Sequence, residues 1–128
     1  MRRTDQRRAA VFAVYQRDVT GESKPDAELT PFARELAEGV ESHREELDAL
    51  ISEHAVGWDV NRIAPLERGI LRVALFEILY RDDVPDEVAI DEAVETAKVY
   101  CGAEAPPFVN GILGGVMKRL SGPERRSA

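Results

Sequence analysis

Reactive and cross-linking residues are scarce in this chain of 128 residues, which holds one cysteine, two histidines and one tryptophan. A single cysteine, Cys101, cannot form an intrachain disulfide, and this fits a reducing cytoplasm. No apolar run approaches the roughly 20 residues needed to span a bilayer. The apolar segment AAVFAVY (9–15) is too short for a secretory signal, and Gln16, Arg17 and Asp18 interrupt it. His43 and His54 lie eleven residues apart, without the one-turn spacing of a helical metal site and without a third ligand nearby in sequence. Cys101 sits on an apolar helical face, as a structural thiol does. The run GILGG (111–115) lacks the Lys-Ser/Thr pair and the preceding strand of a phosphate loop. Asp82 and Asp83 read as turn and capping residues. Nothing in this inventory supports catalysis, so the expectation is a protein that is not an enzyme, with no cofactor and no metal.

With 44% hydrophobic and 32% charged residues, the composition is that of a soluble globular domain. The length suits one domain, expected over residues 1–120 with a flexible tail at 121–128. The net charge is −7, yet residues 1–17 carry five arginines (Arg2, Arg3, Arg7, Arg8, Arg17) against Asp5 alone. The acidic excess therefore sits entirely in the rest of the chain. Such asymmetry suggests two partners of opposite sign; the alternative is that the acidic excess only maintains solubility.

Periodicity is helical almost throughout. Ala9, Ala10, Phe12, Ala13 and Val14 form a broad apolar stripe between Thr4, a candidate N-cap, and Val19. Gly21 stops this helix, and GESKPDAE (21–28) reads as a loop. Thr30 followed by Pro31 starts a long helix with Phe32, Leu36, Val40, Leu47 and Ile51 on one face, a break near His43, and an end at Gly57. The segment LERGILRVALFEILYR (66–81) is apolar over most of its circumference, which marks it as the central helix. Its narrow polar strip comprises Glu67, Arg68, Arg72, Glu77 and Arg81. A helix follows over VAIDEAVETAKVYC (88–101), then the loop GAEAPP and a last helix opening at Phe108. The fold class is all-α, a compact domain of six or seven helices.

Arginines crowd the start of the first helix, the unfavourable end for cations because the helix dipole is positive there. Backbone amides together with guanidinium forks suit phosphate groups, and Tyr15 lies about two turns beyond Arg7. Exposed aromatics beside arginines suit single-stranded RNA. On residues alone, core packing is an equal reading of Tyr15, and a solvated helix end is the alternative for the arginines.

Three ordered blocks, DVNRIAPLERGILRVALFEILYRDDVP (59–85), VAIDEAVETAK (88–98) and FVNGIL (108–113), together with the arginine-rich start and AVFAVYQ (10–16), resemble the NusB family of transcription antitermination and termination factors. The resemblance extends from Arg2 to Leu120. It implies two small helical bundles packed together, and binding to the boxA element of nascent ribosomal RNA leaders. It also implies a protein partner, NusE, a small-subunit ribosomal protein, within an RNA polymerase antitermination complex. Arg2, Arg3 and Arg7 fall in the family's arginine-rich stretch, with Arg8 beside them in the basic start of the helix, and Tyr15 matches its RNA-contacting tyrosine. Asp5 stands where the family often has another arginine. A second RNA-facing segment, E-D-S-x-K-F in the family, is A-E-A-P-P-F here. Glu104 replaces the aspartate and Pro107 the lysine, while Phe108 is either a stacking or a core residue. Loss of that lysine removes a phosphate contact and implies low RNA affinity without NusE. Glu67 matches a NusE contact position, with Arg72, Phe76 and Glu77 as neighbours on the same helix; Glu67 and Phe76 are the better candidates, since an intramolecular partner is an equal reading of Glu77. Two rival expectations are a NusB-like module of the kind fused to RNA methyltransferases, disfavoured by the short tail, and a homodimer through the first helix.

Overall fold

The computed structural model describes residues 2–22 and 28–120, which form six α-helices, one short 3-10 turn and no strand. The expected tail at 121–128 and most of the loop at 21–28 fall outside the described residues. The helices are α1 (Arg3–Thr20), α2 (Pro31–Ser42), α3 (Arg44–His54), α4 (Pro65–Tyr80), α5 (Asp86–Tyr100) and α6 (Ala105–Leu120). None of them is long and apolar enough to cross a membrane. The all-α expectation holds.

Local signals explain most helix boundaries. The Thr30 hydroxyl accepts the Ala33 N–H at 3.2 Å, with Pro31 in the first turn of α2. The same hydroxyl donates to Gln6 on α1 at 2.7 Å, so the cap also joins two helices. Gly21 ends α1 at a φ of 73°, a left-handed conformation that glycine adopts without a Cβ clash. The long apolar pattern after Pro31 breaks at His43, which separates α2 from α3.

Several boundaries differ from the pattern-based reading: α3 ends at His54 rather than Gly57, and α5 spans Asp86–Tyr100 rather than 88–101. Thr4 does not cap α1: the helix begins one residue earlier, and the Thr4 hydroxyl donates to Glu92 on α5 at 2.8 Å. The last helix starts at Ala105, so GAEAPP is not loop throughout. Pro106 and Pro107 fit its first turn because the N–H groups there have no partner within the helix.

Helix α4 is the centre of the molecule and packs against every other α-helix, while α1 also pairs with α2 and α5 with α6. All residues from Gly69 to Ile78 are buried, including Arg72 and Glu77. Burying two charged side chains is tolerable only if neighbouring helices supply counter-charges. Arg72 makes a bidentate pair with Asp48 of α3 at 2.7 and 2.9 Å. Asp18 of α1 lies 3.2 Å from Arg72 and accepts from Arg68 at 2.6 Å and from Arg44 at 2.9 Å. Glu77 accepts from Arg7 of α1 at 2.8 Å. Desolvation pushes the Glu77 carboxyl up, the Arg7 bond pulls it back, and the net direction is upward.

At the other end of α4, Phe76 packs against Gly39 of α2 and stacks with Tyr80 at 5.4 Å. His43 lies 4.2 Å from Tyr80 between ring centroids. The Tyr80 hydroxyl donates to Glu46, which pushes its pKa up to about 12.

Burial raises the Asp18 carboxyl, but the Arg68 hydrogen bond and the charges of Arg72, Arg68 and Arg44 outweigh it and hold the carboxyl below its ordinary range. A lowered folded-state pKa contributes stability that is present above about pH 4 and lost as pH falls through the folded value. Asp18→Asn should therefore cost on the order of 3 kcal/mol at neutral pH, with the loss shrinking in acid. Urea unfolding at pH 7 and pH 3 tests this, and an equal loss at both would contradict the charge account. Gly39→Ala should destabilise by about 1–3 kcal/mol through overlap with the Phe76 ring, despite the better helix propensity of alanine. A rise in the unfolding midpoint would show that the ring gives way.

Candidate nucleic-acid interface

Helical spacing divides the N-terminal arginines between two sides of α1. Arg3 and Arg7 lie one turn apart and both approach the Phe32 ring, with guanidinium carbons 3.9 and 5.5 Å from its centroid. Arg81 approaches the same ring at 5.0 Å. Arg3 is still half-exposed and lies 3.5 Å from Asp83. Arg2 is exposed, beside Asp5 at 3.4 Å.

Arg8 lies on a different side of α1. With Phe12 and Tyr15 it forms an i, i+4, i+7 series, which places the three on one helical face. The Arg8 guanidinium sits 5.8 Å from the Tyr100 ring centroid, and its buried Nε has no hydrogen-bond partner. Phe12 and Tyr100 meet edge to face at 5.0 Å and both remain exposed. Phe12 therefore does not belong to the buried stripe of α1, which consists of Arg7, Ala10, Val11 and Val14. Tyr15 is half-buried beside Gly69 of α4, so it packs on the body while keeping part of its ring accessible.

Past the end of α5, where Cys101 feels the charge of Glu67, lies a groove that carries two carboxylates and one guanidinium. Trp58, Arg62, Ile63, Ala64, Glu67, Glu104 and Phe108 enclose about 380 Å³. Glu67 is half-buried, and desolvation followed by the Glu104 charge pushes its carboxyl upward. Neither carboxylate forms an ion pair or side-chain hydrogen bond with a described residue. Burial and the Glu67 charge likewise raise the Cys101 thiol, which keeps it protonated and joins the groove to the end of α5. The two positions expected on different interfaces, Glu67 for protein and Glu104 with Phe108 for RNA, thus share one depression.

Four expected contact residues are absent from the outer surface. Arg7 is 6% exposed and bonded to Glu77, so its charge is compensated inside the fold. Arg72 and Glu77 are each 1% exposed and Phe76 is 6% exposed, so all three lie inside the fold, where they pack and compensate charge. The cause is the position of α4: a helix covered on most sides leaves only its two ends at the surface, with Glu67 in the first turn and Tyr80 at the last residue. Reasoning on residues alone also missed Phe12, Tyr100 and Trp58. The spacing of Arg8, Phe12 and Tyr15 was a usable signal for the first, whereas Tyr100 and Trp58 reach this surface only through packing.

The chain matches the family model described as "NusB family" over residues 4–118. It is 42% identical to the transcription antitermination protein NusB of Symbiobacterium thermophilum, with 95% of this chain and 93% of that protein aligned. Identity to the protein of the same name from Rubrobacter xylanophilus is 43%, covering 95% and 94% of the two chains. A solved structure of T. maritima NusB superposes with a TM-score of 0.86 at 30% identity over 100% of this chain and 99% of that one. A structure of the antitermination factors NusB and NusE in complex with dsRNA gives 0.76 at 25% identity, covering 93% of this chain and 99% of the matched one. Agreement in ordered sequence blocks, helix order and three-dimensional superposition leads to one assignment: this chain belongs to the NusB family.

Proposed function

We propose that this protein is a cytoplasmic RNA-binding antitermination factor, without catalytic activity, that recognises boxA-type single-stranded RNA of ribosomal RNA leaders together with NusE. Residues up to 120 act as one RNA-binding domain within an RNA polymerase antitermination complex. The observation that carries this reading is a basic, aromatic side chain group (Arg8, Phe12, Tyr15, Tyr100) together with a groove whose lining carries two carboxylates, Glu67 and Glu104, against one guanidinium, Arg62. The first end offers guanidinium groups and ring faces, the chemistry of single-strand recognition. The second offers carboxylates suited to a basic ribosomal protein. Arg2 and Arg3 supply further positive charge at the start of α1, while Arg7 has no part in the contact. Phe108 serves the groove wall next to Glu104.

Relatedness supports the partners. The structure of NusB and NusE with dsRNA contains a chain that superposes on this one over nearly its full length. A homodimer formed through α1 is the second reading, favoured by the exposure of Phe12 and of Val19 at 54%. Sedimentation that finds a monomer at high protein concentration would remove it.

Titration of a short boxA-type RNA over a salt series, with and without NusE, tests the proposal. NusE should tighten binding, and log affinity should fall against log salt by about 0.7 for each phosphate contact. Arg2→Ala with Arg3→Ala should weaken binding and reduce that slope, whereas an unchanged slope would place the phosphates elsewhere. Glu67→Lys should weaken NusE binding about tenfold or more through like-charge repulsion. Because the Glu67 carboxyl is raised, NusE affinity should begin to fall above the ordinary glutamate range near pH 4.3 as the solution is acidified. Isothermal titration from pH 7.5 down to pH 4 reads this, and a Glu67→Gln variant that keeps the same pH dependence would remove Glu67 from the contact.

A further inference from the structure

Phe12 and Tyr100 are 39% and 45% exposed, although each carries a large apolar ring. Their ring centroids lie 5.0 Å apart at an interplanar angle of 88°, so the two rings hold each other upright from α1 and α5. An edge-to-face pair uses the edge of one ring and one face of the other, which leaves ring surface open to solvent. Arg8 lies over Tyr100, with its Nε shielded from water and without a hydrogen-bond partner. Its guanidinium is therefore partly desolvated and held in place by packing, and its outer N–H groups remain available to an acceptor.

The charges around this pair define a direction. Across Arg8, Thr4, Val88, Asp91, Glu92 and Glu95 enclose a cleft of about 330 Å³ whose acidic groups repel a phosphate backbone. A polyanion that engages Arg8 is steered away from the acidic first half of α5, towards Phe12 on α1 and Tyr100 at the end of α5. Arg8 and Tyr15 are separated by about 10 Å along the helix axis.

We propose that Phe12 and Tyr100 form a stacking platform for one base of a single-stranded RNA, with Arg8 binding the phosphate beside it. This rests on the RNA-binding reading given above and adds the position at which a base is held. A paired base cannot reach the platform, because its faces are already stacked within the duplex. The platform selects for an unpaired nucleotide, and it contributes affinity that does not depend on salt.

The test uses the full chain and a fluorescently labelled single-stranded RNA, together with an oligomer of equal length and charge in which the central nucleotides are abasic. Anisotropy is measured over a salt series, with NusE present throughout. Phe12→Ala, Phe12→Leu and Tyr100→Ala should each weaken RNA binding about tenfold, with an unchanged salt slope and little change in thermal unfolding. Tyr100→Phe should bind as the wild type does. Arg8→Ala should instead reduce the slope by about 0.7. The wild type should prefer RNA to the abasic oligomer, and the alanine variants should lose that preference. If the wild type binds RNA and the Phe12 and Tyr100 variants bind it equally well, the platform is overturned while the RNA reading stands. Variants that lose NusE binding but retain RNA affinity would assign the pair to a protein contact and also overturn it. Absence of RNA binding by the wild type with NusE present would defeat the general reading and this inference together.

Discussion

A central helix that carries Arg72 and Glu77 into the interior obliges its neighbours to bring opposite charges to meet it. Asp48 on α3 and Asp18 on α1 answer Arg72, and Arg7 on α1 answers Glu77. Removing one member of such a set leaves a buried charge without compensation, which costs far more than the intact pair contributes. The arrangement therefore acts less as a source of stability than as a constraint on register. Only one rotation of α1 places Asp18 and Arg7 opposite their partners while Ala10, Val11 and Val14 enter the core. The same constraint determines which residues of α1 face outward.

That constraint sorts the basic N-terminus into groups with different roles. Arg7 belongs to the interior. Arg3 stays near the surface but leans on Phe32 and lies close to Asp83. Arg8 lies on a different side, towards Tyr100 and beside the acidic cleft of Asp91, Glu92 and Glu95, with no ion pair to a described residue. A cluster that looks uniform in the sequence is thus a structural arginine, a partly screened one and an accessible one. Counting positive charges along the chain would overstate the field that an approaching phosphate meets.

The groove that carries Glu67 and Glu104 lies past the end of α5, which bears Tyr100, because α5 ends where α4 begins. Cys101, at the end of α5, is close enough to Glu67 to be influenced by its charge, and Glu67 in turn is influenced by Glu104 at the start of α6. Three helix termini therefore converge on one surface, and each contributes a side chain from its first or last turn. Two ligands of opposite charge bound there would lie side by side, each screening the other's repulsion from the unlike half of the surface. The NusB-family assignment and the proposed joint binding of RNA and NusE agree with this arrangement.

The amino-acid sequence by itself determined the helical class, the capping of α2 at Thr30, the break at His43 and the central place of α4, because periodicity and capping are local properties of the chain. Its ordered blocks were also sufficient to indicate the family. Only the tertiary structure decided which charged residues are visible from outside. The narrow polar strip of α4 reads as a solvent face in any local pattern, yet Arg72 and Glu77 turn inward because Asp48 and Arg7 arrive from distant segments. Likewise the start of α6 at Ala105 was hidden by two prolines that local reasoning assigns to a loop and that a first helical turn accepts. The pairing of Phe12 with Tyr100 joins residues 88 positions apart, and no spacing rule within one helix can anticipate a contact made between two.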